Sequence, residues 1–149
     1  MSDPWKQALE SATEQVLSTM FFSDVVAVRT AAGQEQLGEE ALAIMVAFYG
    51  SPSGRYHVWI EPRAARELSA AFLGVDAAEL NIDRVAAAMC EMANMICGAF
   101  VSAIEGSTLI RLDAPVFGSA AAAGADAPRQ RFLLDAGIME ARVDMEGEL

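Results

Sequence analysis

A chain of 149 residues with 54% hydrophobic and 21% charged residues fits one domain with a substantial core, and this composition excludes disorder. A net charge of −11 and a pI near 4.4 repel nucleic-acid backbones and leave no polybasic membrane anchor. The opening Met1-Ser2-Asp3-Pro4-Trp5 has no positive cluster ahead of an apolar run, so it does not read as a signal peptide, and a cytoplasmic location is expected.

The first element reads as a helix. Ser2 or Asp3 can cap it, Pro4 suits its first turn, and Trp5, Leu9, Ala12, Val16, Leu17 and Met20 recur at helical spacing up to Phe21-Phe22. The β-branched run Val25 to Val28 reads as a strand, and Gly33 to Glu40 as a polar turn region. The apolar run Ala41 to Tyr49, the turn Gly50-Ser51-Pro52-Ser53-Gly54 and the run Tyr56 to Ile60 together predict a hairpin. Pro62 opens a short second helix carrying Ala65, Leu68, Ala71, Phe72 and Leu73, which Gly74 ends.

Residues 75–80 connect to a long helix over 81–106, capped by Asn81 or Asp83. Its stretch Val85 to Ile104 is apolar and long enough to be mistaken for a membrane span. Glu91 and Asn94 fall in its middle, where an acid costs roughly 2.5–3.5 kcal/mol in a bilayer, so it reads as a soluble helix buried on one side. Cys90 and Cys97 are two turns apart, about 10 Å, beyond disulfide reach. With a single His in the chain they assemble no metal set and read as core thiols.

After this helix, Ser107 to Leu112 reads as a strand broken by Asp113-Ala114-Pro115, and the Ala/Gly-rich residues 118–128 as a mobile loop. Arg131 to Leu134 and Ile138 to Met145 predict a last hairpin, although Ile138, Ala141 and Val143 do not alternate cleanly. The order of elements predicts an α+β fold, with helices on one face of a largely antiparallel sheet. High apolar content, and terminal strands expected to leave an open edge, point to a homodimer.

The long helix carries the chemical signal. On a helical wheel, Val85, Met89, Ala93, Ile96, Phe100 and Ile104 form a core stripe. Glu91, Asn94, Gly98, Ser102, Glu105, Arg84 and Ala87 gather on the opposite side. Asn is a poor helix-interior residue, yet outward it presents a donor and an acceptor on a rigid mount. Gly98, one turn on, costs roughly 1 kcal/mol relative to Ala and clears space for a partner. The same residues also fit an ordinary solvent face, or a dimer seam in which Gly98 lets helices pack. His57 and the methionines 89, 92 and 95 read as structural, and Trp5 and Trp59 as core or interface anchors.

The run Glu91-Met92-Ala93-Asn94-Met95-Ile96-Cys97-Gly98 resembles the E-x-x-N signature of the CheC/CheX phosphatase family, with its following glycine. Residues 12–21 are similar to that family's first helix, and Leu112 to Gly118 to its Pro-containing segment. The resemblance implies hydrolysis of the aspartyl phosphate of a CheY-like receiver domain. It assigns Asn94 to orient the attacking water and Glu91 to pair with the receiver's lysine, with Met95 and Gly98 against the partner. It implies no cofactor of the chain's own, the Mg²⁺ being supplied by the receiver. Ala87 stands where the family pattern often has Asp or Ser, and Leu17 replaces the Asn of a second signature after Glu14, so the single site is closer to CheX. The alternative is a non-catalytic receiver-binding or dimerisation module of the same fold.

Overall fold

The N-terminal helix α1 runs from Asp3 to Met20 in the computed structural model, which describes residues 3–105, 109–118 and 127–146. Ser2, one of its two expected caps, lies outside the described residues. The buried positions Leu9, Ala12, Thr13, Val16 and Leu17 follow helical spacing, so one stripe of α1 faces the core. The buried Thr13 hydroxyl donates to the Leu9 carbonyl at 2.8 Å, which satisfies it within the helix. Phe21 then turns inward and stacks on Phe72, ring centroids 4.6 Å apart.

The described strands are β1 (Val25–Ala31), β2 (Leu42–Tyr49), β3 (Gly54–Ile60), β4 (Arg111–Leu112), β5 (Val116–Phe117), β6 (Arg129–Leu134) and β7 (Gly137–Met145). They form one antiparallel sheet of seven strands in the order β1-β6-β7-β3-β2-β4, with β5 also paired to β2. The two expected hairpins are present, as β2–β3 and β6–β7. The turn between β2 and β3 is closed by Ser53, whose hydroxyl accepts from the Gly50 N–H at 3.0 Å and donates to the Gly50 carbonyl at 2.9 Å.

One expectation is corrected. The strands that end the chain leave no open edge, because β7 lies between β6 and β3, and β6 lies between β1 and β7. The edges belong instead to β1, the first strand in sequence, and, at the other end of the sheet, to the short strands β4 and β5 beside β2. The expected strand over 107–112 is limited to Arg111–Leu112 among the described residues, with 107 and 108 outside them. Of the expected loop 118–128, residues 119–126 are also outside.

Helix α2 (Pro62–Leu73) begins at its proline and ends at Gly74, whose φ of 70° is the left-handed value a glycine adopts without strain. Helix α3 (Ile82–Glu105) is capped by Asn81, whose Oδ1 accepts from the Arg84 N–H at 2.9 Å. Arg66 of α2 donates to the carbonyls of Ala77 and Leu80 at 3.0 and 2.7 Å, which ties the connector down and fixes where α3 starts.

All three helices lie on one face of the sheet. Ile44, Val46 and Phe48 of β2, Tyr56, Val58 and Ile60 of β3, and Met139, Ala141 and Val143 of β7 join the helix stripes in one core cluster. Burying this apolar surface supplies most of the fold's stability, at roughly 25 cal/mol per Å². Although α3 is long and apolar enough to cross a membrane, its apolar stripe is spent on this core.

The opposite face of the sheet is covered differently. Residues 33–41 cross it and are held by Glu140, which is fully buried. Its carboxylate accepts from the Leu37 N–H at 2.9 Å, from Arg129 at 3.2 Å and from Arg131 Nε at 2.7 Å. The Arg129 guanidinium lies 3.5 Å from the ring centroid of Trp59, and His57 stacks on Trp59, ring centroids 5.8 Å apart. His57 is therefore structural, and burial pushes its pKa down, against the opposing pull of Asp144. Trp59 anchors this outer layer rather than the helix-side core.

Candidate functional site

Helix α3 is amphipathic as its sequence implies. Val85, Met89, Ala93, Ile96 and Phe100 are buried, and Ile104 is half-buried. The Phe100 ring meets Phe48 of β2 edge-on at 6.4 Å, which fixes the rotation of the helix about its own axis. With that rotation set, Arg84, Ala87, Glu91, Asn94 and Ser102 all reach solvent. Glu91 and Asn94 thus stand one turn apart in the middle of a helix anchored along its other side.

Among the described residues, neither side chain has a hydrogen-bond or ion-pair partner within the chain. Their polar atoms face outward from a rigid mount, the amide offering both a donor and an acceptor and the carboxylate only acceptors. A carboxamide neither takes up nor gives up a proton to any useful extent near neutral pH, so Asn94 can position a reacting molecule but cannot act as a base. Ala87 puts an exposed methyl one turn before Glu91, so no polar side chain supports the carboxylate from that side.

The two residues expected against a partner differ in availability. Met95 is half-buried and packs on the core cluster, so only part of it is presented. Gly98 is half-buried with no side chain, and among the described residues a β-carbon built there would meet only Leu112 Cδ2, at 4.0 Å. Packing among the described residues therefore does not require a glycine at this position.

Both cysteines are free. Cys97 is buried on the core side, and that burial pushes its thiol up to about 12. Cys90 is half-buried, and its thiol is raised first by burial and then by the charge of neighbouring Glu91. Neither is an activated nucleophile. Among the described residues, no three His, Cys, Asp or Glu side chains come together as a metal-ligand group.

The sheet edge beside α3 was not legible as part of this site. Leu112 lies opposite Phe48 and Phe117 opposite Ile44, which puts both side chains on the helix side of the sheet. Leu112 is half-buried against Gly98, and Phe117 is 44% exposed. The available signal was the apolar pair that follows Pro115, too short to read as a strand.

The model of the protein family described as chemotaxis phosphatase CheX matches residues 42–134, more than half of the chain. Among solved structures, the chemotaxis protein CheX from Desulfovibrio desulfuricans superposes with a TM-score of 0.75 at 19% identity, over 95% of this chain and 99% of that one. The CheX–CheY–BeF3–Mg²⁺ complex from Borrelia burgdorferi matches with a TM-score of 0.75 at 18% identity, over 95% and 97% of the two chains. A CheC-like superfamily protein from Shewanella sp. PV-4 matches with a TM-score of 0.76 at 14% identity, over 99% and 100%. No curated protein matches the chain.

Proposed function

The chain belongs to the CheX family of chemotaxis phosphatases, and from that premise we propose that it hydrolyses the aspartyl phosphate of a CheY-like receiver domain. The observation that carries this reading is the pair Glu91 and Asn94, unpartnered among the described residues on the exposed side of an anchored helix. The likeness to a CheX solved in complex with CheY supports a receiver as the partner.

In this mechanism the Asn94 amide enters the receiver's active site and holds a water in line with the phosphorus. The water oxygen bonds to phosphorus as the bond from phosphorus to the aspartyl oxygen breaks. The electron pair stays on the receiver's carboxylate, and the water's proton leaves with solvent or phosphate. Glu91 pairs with the receiver's lysine and keeps the two proteins in register. Positioning and electrostatics supply most of the catalysis in phosphoryl transfer, so two non-nucleophilic side chains suffice on this chain. The Mg²⁺ is the receiver's own.

Docking without turnover is the competing reading, and the exposed methyl of Ala87 favours it. A panel of phosphorylated receivers from the same genome, timed with and without this protein, separates the two. Faster phosphate loss from a cognate receiver is expected with no cofactor beyond Mg²⁺, whereas binding with no acceleration assigns the chain to the binding modules. The same reading places the protein in the cytoplasm with its receiver. It also expects a homodimer formed at the free edge of β1. Light scattering that gives a monomer at high micromolar concentration would overturn the dimer alone.

A further inference from the structure

We propose that Phe117, continued by Leu112, is the apolar anchor on which the receiver seats itself beside Glu91 and Asn94; this inference rests on the receiver-phosphatase reading above.

The argument begins with strand register. β5 is only two residues long, and it pairs Phe117 with Ile44, which is 1% exposed beneath the helices. Residues directly opposite in an antiparallel pair share a face, so the Phe117 ring projects on the side that α3 covers. Leu112 of β4 repeats the relationship with Phe48, whose ring packs on Phe100 of α3. The approach of Leu112 to the open side of Gly98 places this edge on the polar side of the helix, the side of Asn94. An apolar border therefore runs along the candidate site.

The border is also fixed in place. The Asp113 N–H donates to the Ala47 carbonyl at 2.9 Å, and the Gly118 N–H donates to the Ala43 carbonyl at 2.7 Å. Both ends of the segment 113–118 are thus tied to β2, and a partner that covers Phe117 orders little backbone in doing so. Buried aromatic side chains at the centre of an interface, ringed by polar contacts, commonly carry a large share of its binding energy.

The occupant follows from continuity with the site. A receiver whose phosphate reaches Asn94 must cover the surface around that amide, and Phe117 and Leu112 lie on its border. A second copy seated here would instead crowd the approach to Asn94.

The test uses the full chain and a receiver from the same genome activated with beryllofluoride and Mg²⁺. Affinity, the single-turnover rate at saturating phosphorylated receiver, and sedimentation are measured for the wild type, Phe117→Ser and Phe117→Leu. Phe117→Ser is expected to weaken binding by about tenfold or more while the rate at saturation stays near wild type. Phe117→Leu should restore most of the affinity, and circular dichroism should report both variants folded. If the wild type binds the receiver and Phe117→Ser binds equally well, the anchor is overturned while the receiver reading stands. If Phe117→Ser splits an oligomer with receiver affinity unchanged, the ring belongs to a second copy and the proposal is again overturned. If the wild type binds no receiver, the receiver reading falls and the anchor with it.

Discussion

Among the described residues, a β-carbon added to Gly98 would touch only Leu112 Cδ2, 4.0 Å away, an ordinary van der Waals contact. The fold therefore tolerates Ala here, and replacing a mid-helix glycine removes an entropic penalty. Gly98→Ala is expected to raise the unfolding free energy by up to about 1 kcal/mol in a denaturant titration. On the receiver-phosphatase reading, the same change weakens receiver binding, and Gly98→Leu weakens it further. A glycine variant that loses both stability and binding would show that the position serves internal packing.

The thiols report on the same helix from both sides. Cys97, with its thiol raised to about 12 by burial, should resist iodoacetamide at pH 8, and Cys90 should react slowly and faster as pH rises. Because the Glu91 charge contributes to the upward shift of Cys90, Glu91→Gln should speed that labelling. The raised pKa of Cys97 also has a stability consequence. The folded value lies above the ordinary 9.0, so its contribution is complete below about pH 9 and is lost as pH climbs toward about 12. Mass spectrometry of labelled peptides across pH checks the labelling, and alkaline melting of Cys97→Ala against wild type checks the stability.

Much of this arrangement was legible in the sequence because it rests on helical periodicity. The solvent side of α3 and the stripe ending in Phe100 and Ile104 follow from spacing alone, and so does Gly74 as a helix stop. Register was harder to read. In β7 the buried row Met139, Ala141, Val143 and Met145 does alternate, but Glu140 between them is also buried because residues 33–41 cover the other face, and that hides the period. The free edge at β1 could not be read either, since sheet order is set by long-range pairing of β1 with β6 rather than by any local pattern.

Glu140 makes that covered face a stability prediction. Its carboxylate is fully buried between Arg129 and Arg131, 3.2 and 2.6 Å away as ion pairs. Glu140→Ala leaves those guanidinium groups without their anion and frees the Leu37 N–H, at an expected cost of about 3–5 kcal/mol. Urea denaturation gives the value, and a loss below about 1 kcal/mol would mean the network contributes little. Limited proteolysis should cut within residues 33–41 earlier in this variant.

Phe100→Ala provides the core reference on the opposite side of α3. The ring is fully buried against Phe48, and its removal is expected to cost on the order of 3–5 kcal/mol. Exposed changes at Glu91 or Asn94 should stay within about 0.5 kcal/mol of wild type. Parallel thermal melts of the three variants test this contrast.

The central claim is that Asn94 acts on the attacking water during the reaction, while Glu91 also holds the ground-state complex. The most direct measurement is single-turnover dephosphorylation of a saturating cognate receiver by Asn94→Ala, alongside its affinity for that receiver. The account predicts loss of turnover with affinity nearly unchanged, whereas Glu91→Ala loses both together. An Asn94→Ala protein that keeps the full phosphatase rate, or that melts as Phe100→Ala does, would contradict it.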